Sequence, residues 1–163
     1  MRKEQKANYP ESARGAAALL VRMVLEDGAY TNIALNQYLR GSRLSDLDRR
    51  LATELVYGTV KASGTLDWYL AQCVSRPLDK VAGDILAILR ISTYQLLYMT
   101  RIPASAAVNE AVKLARSVSH EGSAKFVNGV LRGLLRKQEA GAFVLPDAEK
   151  QDADYLSLKY YHP

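Results

Sequence analysis

The sequence contains very few of the residues that build metal centres and disulfide frameworks. Among 163 residues there is one cysteine, Cys73, and there are two histidines, His120 and His162. A single cysteine cannot form an internal disulfide or a thiolate zinc site. Glycine and proline number 10 and 5, too few for a collagen-like or low-complexity chain. We therefore expect no metal site and no disulfide.

Long hydrophobic runs are also missing. Near the N-terminus the longest clean apolar stretch runs from Ala16 to Val21, and Arg22 ends it. A bilayer span needs about 20 apolar residues, and this run is also too short for the core of a signal peptide. Neither GxGxxG nor GxxxxGK[ST] occurs, so no nucleotide cradle is indicated. The sequence therefore predicts a cytoplasmic protein without a membrane segment.

The charge is positive and unevenly distributed. The net charge is +5, with 20 lysines and arginines against 13 acidic residues in 1–139, and 2 against 4 in 140–163. A basic body followed by an acidic tail indicates an anionic partner for the body, nucleic acid included. A net charge of about 2 to 8 also serves solubility alone. Charge by itself leaves both interpretations open.

Apolar residues recur at helical spacing nearly throughout, and the period-two alternation of strands is absent. Ser12 and Ser45 are good N-cap residues, and Gly28 and Gly41 are placed to end helices. The pattern predicts an all-α single domain of about seven helices.

Three local features complete the predicted helices. Gly64 predicts a break, and Thr65 predicts the cap of a helix that runs to Val74. The segment starting near Asp84 is apolar nearly all round, which is typical of a central helix. Pro103 fits the first turn of the next helix.

The chain divides into three expected parts. Residues 1–11 form a basic N-terminal arm, and 12–139 form the helical domain. Residues 140–163 hold Gly141, Pro146 and four acidic residues, which are typical of a linker. The closing YLSLKYYHP returns to an amphipathic pattern and stops, which indicates a piece of a longer chain.

Candidate catalytic residues are few. Cys73 lies among apolar residues of a predicted helix, which favours a buried structural thiol over a nucleophile. His120 is predicted to be a solvated residue of a helix–helix loop, and no Ser-His-Asp set can be assembled. We expect no catalytic residue and no cofactor in this chain.

Basic residues offer a better candidate site. On the last predicted helix three cations recur at spacings of seven and four, opposite an apolar face. Cations along one face neutralise phosphates, and Tyr9 and Tyr30 offer stacking surfaces for unpaired bases. An amphipathic helix needs a polar face in any case, so a plain solvated surface stays open. The candidate RNA-binding residues are Arg2, Lys3, Lys6, Arg14, Arg22, Lys113, Arg116, Lys125, Arg132 and Arg136.

Three polar residues beside apolar stripes have a structural interpretation. Asn109 and Asn128 are expected to hydrogen-bond across their helix pair or to cap a neighbouring loop. Arg90 lies within the most apolar helix and is expected to pair with a carboxylate such as Glu110 or Glu54, because an unpaired buried charge is costly.

Four ordered segments resemble the NusB-like family, and within it the N-terminal domain of the RsmB/Sun type of bacterial small-subunit rRNA cytosine-C5 methyltransferase. They cover most of residues 12–137: GAYTNIALN at 28–36, LATELVYGTVKASGTLDWYL at 51–70, ILRISTYQLLYMTRIPASAAVNEAV at 88–112, and KFVNGVLRGLLR at 125–136. The closing YLSLKYYHP resembles the segment that leads into the methyltransferase domain.

The resemblance implies a function shared between this chain and a missing domain. The whole protein would transfer a methyl group from S-adenosylmethionine to carbon 5 of a cytosine in ribosomal RNA, using a cysteine of a Rossmann-like domain. Cys73 matches no such motif. This chain would be an RNA-binding accessory domain whose partners are ribosomal RNA and the methyltransferase domain, and a homodimer is open.

Two alternatives stay open beside that interpretation. One is a NusB-type transcription antitermination factor that binds boxA-like RNA and a ribosomal protein. The other is a purely structural docking domain. The basic residues near the N-terminus are sparser than the arginine-rich region of NusB relatives, which predicts modest contacts along the phosphates.

Overall fold

The computed structural model describes residues 9–143. Within this range the regular structure consists of seven α-helices and one short 3-10 helix, Leu78–Lys80, and no strand is present. The all-α prediction of about seven helices is therefore confirmed. The helices are α1 (Ala13–Asp27), α2 (Thr31–Arg40), α3 (Asp46–Lys61), α4 (Ser63–Ala71), α5 (Gly83–Tyr98), α6 (Ala104–Val118) and α7 (Glu121–Ala140).

Local side-chain chemistry sets several helix ends where the sequence predicted them. The Ser12 hydroxyl accepts a hydrogen bond from the Gly15 N–H at 3.0 Å, and the Ser45 hydroxyl accepts one from the Asp48 N–H at 3.2 Å. Each satisfies one of the otherwise unpaired N–H groups of a first turn. Gly28 follows α1 in the left-handed conformation, with φ 73°, where glycine has no Cβ penalty.

The junction of α3 and α4 differs from the prediction. Gly64 does not break the chain and Thr65 is not a cap, because α4 begins at Ser63 and Thr65 is buried within it. Ala62, 1% exposed, joins the two helices. The Ala62 N–H donates a hydrogen bond to the Gly58 carbonyl, and the Ala62 carbonyl accepts one from the Leu66 N–H. Backbone hydrogen bonding therefore continues through the corner. A junction of one buried residue leaves no room for a capping side chain, and α4 ends at Ala71, three residues earlier than predicted.

The central helix is α5, as its apolar composition predicted. It packs against α1, α3, α4, α6 and α7. The side chains of Ile88 and Leu89 are fully buried. Because neighbours surround α5, it needs no polar face along most of its length. Gly58 of α3 allows one of these contacts, since a Cβ at that position would overlap the ring of Tyr94 on α5.

Arg90 is the arginine within α5, and its partner differs from the two proposed from sequence. Arg90 Nε donates to Asp67 Oδ1 at 2.8 Å, and Nη2 donates to Oδ2 at 2.9 Å. Asp67 lies on α4, so the bidentate pair joins these two helices, and the prediction of Glu54 or Glu110 is wrong. A forked guanidinium–carboxylate pair satisfies a largely buried cation in a fixed geometry.

No helix of the described range is both long and apolar enough to cross a membrane. The chain turns back after α7, through Gly141 with φ 64°. Phe143 then packs against Trp68 and Tyr69 of α4, with ring centroids at 6.1 and 4.8 Å. The first residues of the expected linker therefore lie on the helical body, and its remaining part, 144–163, falls outside the described residues.

Candidate nucleic-acid interface

The α6–α7 hairpin carries five of the candidate cations. The start of α7 is fixed by His120, whose Nδ1 accepts from the Ser123 N–H at 3.4 Å. His120 is exposed in the loop, as predicted, but it also has a structural role that the sequence did not reveal. Its ring nitrogen satisfies an N–H group of the first turn of the helix. His120 thereby helps to fix the orientation in which α7 leaves the loop.

The outer face of α7 presents Lys125, Arg132 and Arg136, all exposed. On the opposite side, Leu131 and Leu134 are fully buried. With 1.5 Å rise per residue, the three cations extend over about 16 Å of one helix face. Within residues 9–143 none of the three forms a salt bridge. Their charges are therefore not neutralised by a contacting carboxylate of the described residues.

The expected pairing of asparagines across the hairpin is not present. Asn128 accepts from Arg132 Nε at 2.9 Å, within its own helix. Asn109 is exposed on α6. The contact between α6 and α7 is made by apolar residues that are buried on both helices. The prediction of hydrogen bonds across the helix pair is wrong for both residues.

The cations of α6 are partly engaged with carboxylates. Lys113 Nζ lies 3.9 Å from Glu110 Oε1 on the same helix. Arg116 donates to both carboxylate oxygens of Glu121, at 2.6 and 3.4 Å. This contact lowers the pKa of Glu121 and raises the pKa of Arg116, with the hydrogen bond as the main cause. Arg116 thus joins the end of α6 to the start of α7, near Lys125.

The two arginines of α1 lie apart from that hairpin. Arg14 Nε donates to Gln95 of α5 at 3.3 Å. Arg22 donates to Glu26 at 2.9 Å and to the Tyr9 hydroxyl at 3.5 Å. The two are about 12 Å apart along the helix axis. Both are only partly exposed and already hydrogen-bonded, so the predicted cations do not form one surface.

The two candidate stacking tyrosines differ. Tyr9 is 8% exposed and belongs to the core, and burial raises the pKa of its phenol. It cannot offer a ring face to a base. Tyr30 is 75% exposed just before α2 and keeps that possibility. Arg2, Lys3 and Lys6 of the predicted arm lie outside the described residues.

Sequence reasoning missed a second group of arginines. Arg40, Arg43, Arg49 and Arg50 lie between the end of α2 and the first turns of α3. Arg49 is anchored there, since its Nη1 donates to the Leu39 carbonyl at 2.8 Å. The signal was the density of four arginines within 11 residues. The acids of the same stretch and of the segment before α1 offset much of this charge: Asp46, Asp48 and Glu11.

The described residues offer few groups that could act in catalysis. Burial raises the pKa of the Cys73 thiol above its ordinary value, which makes it a poor nucleophile. In the part of the chain that the structure describes, no cluster of three or more histidine, cysteine or acidic side chains could hold a metal ion. What the arrangement offers is a cationic helix face on an all-α body.

Comparison with known proteins identifies the family. The NusB family model matches residues 11–136. A probable ribosomal RNA small subunit methyltransferase B of Synechocystis sp. is 42% identical over 139 residues, which are 85% of this chain and 31% of that protein. One from Bacillus subtilis is 40% identical over 126 residues, 77% and 28% of the two chains. The chain therefore spans about 30% of the length of these curated relatives.

Solved structures share the fold. A chain in the crystal structure of a plectonemic RNA supercoil has a TM-score of 0.72 and 19% identity, covering 85% of this chain and 97% of that one. NusB of T. maritima has a TM-score of 0.70 and 20% identity, with 84% and 94% covered. A chain from the complex of NusB and NusE with double-stranded RNA also reaches 0.70, at 20% identity, with 77% and 95% covered. The helical architecture, the match over residues 11–136 and the similarity to these relatives together show that the chain belongs to the NusB family.

Proposed function

We propose that this chain is the RNA-binding accessory domain of an S-adenosylmethionine-dependent ribosomal RNA cytosine-C5 methyltransferase. Its task is to hold and orient the RNA, and it contributes no catalytic group. Support comes from relatives at 42% and 40% identity that carry the name ribosomal RNA small subunit methyltransferase B. Their length beyond the matched third is where the catalytic domain and S-adenosylmethionine would be placed.

The observation that carries the RNA-binding part is the row of cations on α7. Lys125, Arg132 and Arg136 are exposed on one helix face and form no salt bridge with any described residue. Approaching phosphates therefore do not have to displace a carboxylate. Neutralising phosphates releases their counterions, so binding falls with rising salt. A single row of three cations predicts modest, mainly positional contacts with the backbone.

The test is a fluorescence-anisotropy titration with the ribosomal RNA hairpin and a scrambled RNA, at low and near-physiological salt. The variant Arg132→Ala/Arg136→Ala removes two cations and keeps good helix formers at both positions. If each arginine contacts one phosphate, the slope of log affinity against log salt should become shallower by about 1.4 for contacts in the single-stranded loop and by about 1.8 for contacts in the paired stem.

A matched control removes the same charge elsewhere. Lys61→Ala/Arg101→Ala changes two exposed cations, at the end of α3 and in the loop before α6. This control should leave the slope unchanged. If both double variants lose affinity equally, general charge and not the α7 face drives binding, and the assignment of the face is wrong. If neither loses affinity, RNA binds elsewhere on the chain and the assignment of the face is also wrong. If the unchanged chain shows no measurable affinity for either RNA, the chain is not an RNA-binding domain.

The same titration separates the other candidate functions. Preference for a boxA-like single strand over the ribosomal hairpin, together with capture of a ribosomal protein, would identify an antitermination factor. Absence of RNA affinity, with association in trans to a separately expressed methyltransferase domain, would identify a docking domain. The homodimer and the contact with the methyltransferase domain stay predictions.

A further inference from the structure

A cavity of about 390 Å³ opens where the starts of α5 and α7 meet. Val81, Ile85 and Phe126 give it an apolar wall, and Arg76 and His120 lie at its polar side. Binding sites for small organic groups generally occupy about 300 to 1,000 Å³. A space at the lower end of this range has room for one nucleotide but none for the end of a paired helix.

Arg76 gives this cavity its chemistry. The guanidinium carbon lies 4.7 Å from the centroid of the Phe126 ring, so the ring holds the cation from behind. Across the described part of the chain, Arg76 has no carboxylate partner. An exposed guanidinium plane is a surface on which an unpaired base stacks, and its N–H groups match a phosphate.

On the α7 side of the opening, the acidic side chain is already paired with a cation. Glu121 is the acid at the start of α7, and the fork from Arg116 occupies both its oxygens. Gly122 lines the cavity and Lys125 follows it by three residues, on the same side of the helix. The cation row of α7 therefore begins about one helical turn from a residue that lines this cavity.

We propose that the cavity takes one unpaired nucleotide of a single-stranded RNA segment. The base stacks on the Arg76 guanidinium and lies along Val81 and Ile85, while the following phosphates run along the α7 cations. This inference rests on the proposed RNA-binding function and makes it more specific. A base within a duplex cannot enter without being unpaired and unstacked, so the cavity gives the chain a preference for single strands.

The experiment compares two fluorescein-labelled probes in an anisotropy titration at low salt. One is a single-stranded RNA dodecamer, and the other is that strand annealed to its complement. The test variant is Ala82→Trp, which changes an exposed residue of the cavity wall and removes no charge. The backbone of Ala82 is extended, with φ −55° and ψ 139°, and accepts any side chain.

We expect Ala82→Trp to weaken single-strand binding about fivefold or more, because one base loses its stacking position. Duplex binding should not change. The control Ala104→Trp places the same ring at the exposed start of α6, a helix length of about 20 Å from the cavity. It should bind both probes as the wild type does. Arg76→Lys keeps the charge but removes the plane, and should weaken single-strand binding in the same direction.

The outcomes separate this inference from the proposed function. Thermal melts first establish that Ala82→Trp and Arg76→Lys are folded. If both then bind the single strand as the wild type does, the cavity is not a nucleotide site. If Arg132→Ala/Arg136→Ala binds more weakly in the same experiment, the assignment of the α7 face to RNA binding is kept. If Arg132→Ala/Arg136→Ala also binds unchanged, the α7 face is not the RNA-binding surface either. If the wild type binds neither probe, the proposed RNA-binding function fails as well.

Discussion

Gly58 provides the sharpest test of how α3 and α5 pack. A methyl group at this position would overlap Cζ and Oη of Tyr94, and the Tyr94 ring is 5% exposed with Tyr98 behind it at 5.2 Å between centroids. The ring has to move by more than about 1 Å, which places the cost near the upper end of overpacking, about 3 kcal/mol. Replacing glycine by alanine within a helix returns about 1 kcal/mol. Gly58→Ala should therefore destabilise the chain by about 2 kcal/mol.

The measurement is thermal and urea unfolding followed by circular dichroism. For a chain of this length the melting temperature should fall by about 4–8 °C. Gly129→Ala is the matched control, because nothing lies within 4 Å of its added Cβ, and it should raise stability by about 1 kcal/mol.

A second background isolates the cause. In Tyr94→Leu the shorter side chain no longer reaches α3, so Gly58→Ala should become neutral or stabilising there. The difference between the two backgrounds is the coupling energy of the contact. If Gly58→Ala costs as much in the Tyr94→Leu background as in the native one, the overlap with the ring is not the reason for the glycine.

The remaining predictions concern single polar groups. Asp67→Asn should lower the free energy of unfolding in urea by about 1–3 kcal/mol, because it leaves the Arg90 guanidinium without its charged partner. The control Glu110→Gln should lower it by less than about 0.5 kcal/mol. Equal losses of stability in the two variants would contradict the importance of the pair. Burial raises the pKa of Tyr98 to about 12 from 10.0. The unfolded phenol then ionises first, stability falls as pH rises across that interval, and Tyr98→Phe should reduce this alkaline loss in unfolding curves; an unchanged curve would refute the shift. His120→Ala should cost about 1 kcal/mol and His120→Asn almost nothing, since asparagine supplies a cap acceptor; equal melting temperatures of the two variants would rule out the cap.

Helix ends with local causes could be predicted from the sequence, and ends with tertiary causes could not. Ser12, Ser45 and Gly28 act through hydrogen bonds and backbone angles within a few residues, so their identity is sufficient. Gly64 followed by Thr65 has the composition of a break and a cap. The corner instead lies at Ala62, because that small residue is buried among neighbouring helices, which no local pattern reveals.

The candidate site divides in the same way. The spacing of Lys125, Arg132 and Arg136 predicts a common helix face directly, and the structure places them on one. The cost of an unpaired buried charge predicts that Arg90 has a carboxylate partner. The identity of that partner, Asp67, depends on where α4 and α5 cross, which the sequence does not reveal. The cavity is lined by residues from three separate segments of the chain. Their spacing in the sequence gives no indication that they lie together, so the cavity could not be predicted.

The aromatic contact after α7 gives the chain an optical property. Trp68 is the sole tryptophan, and it lies in contact with Tyr69 and Phe143. When tryptophan is excited selectively over the ten tyrosines, the emission of the protein therefore comes from one indole, placed where the chain leaves the helical body. Any partner or appended domain that draws Phe143 away from α4 hydrates this indole and shifts its emission to longer wavelength. Docking at this edge can thus be followed in solution without a label.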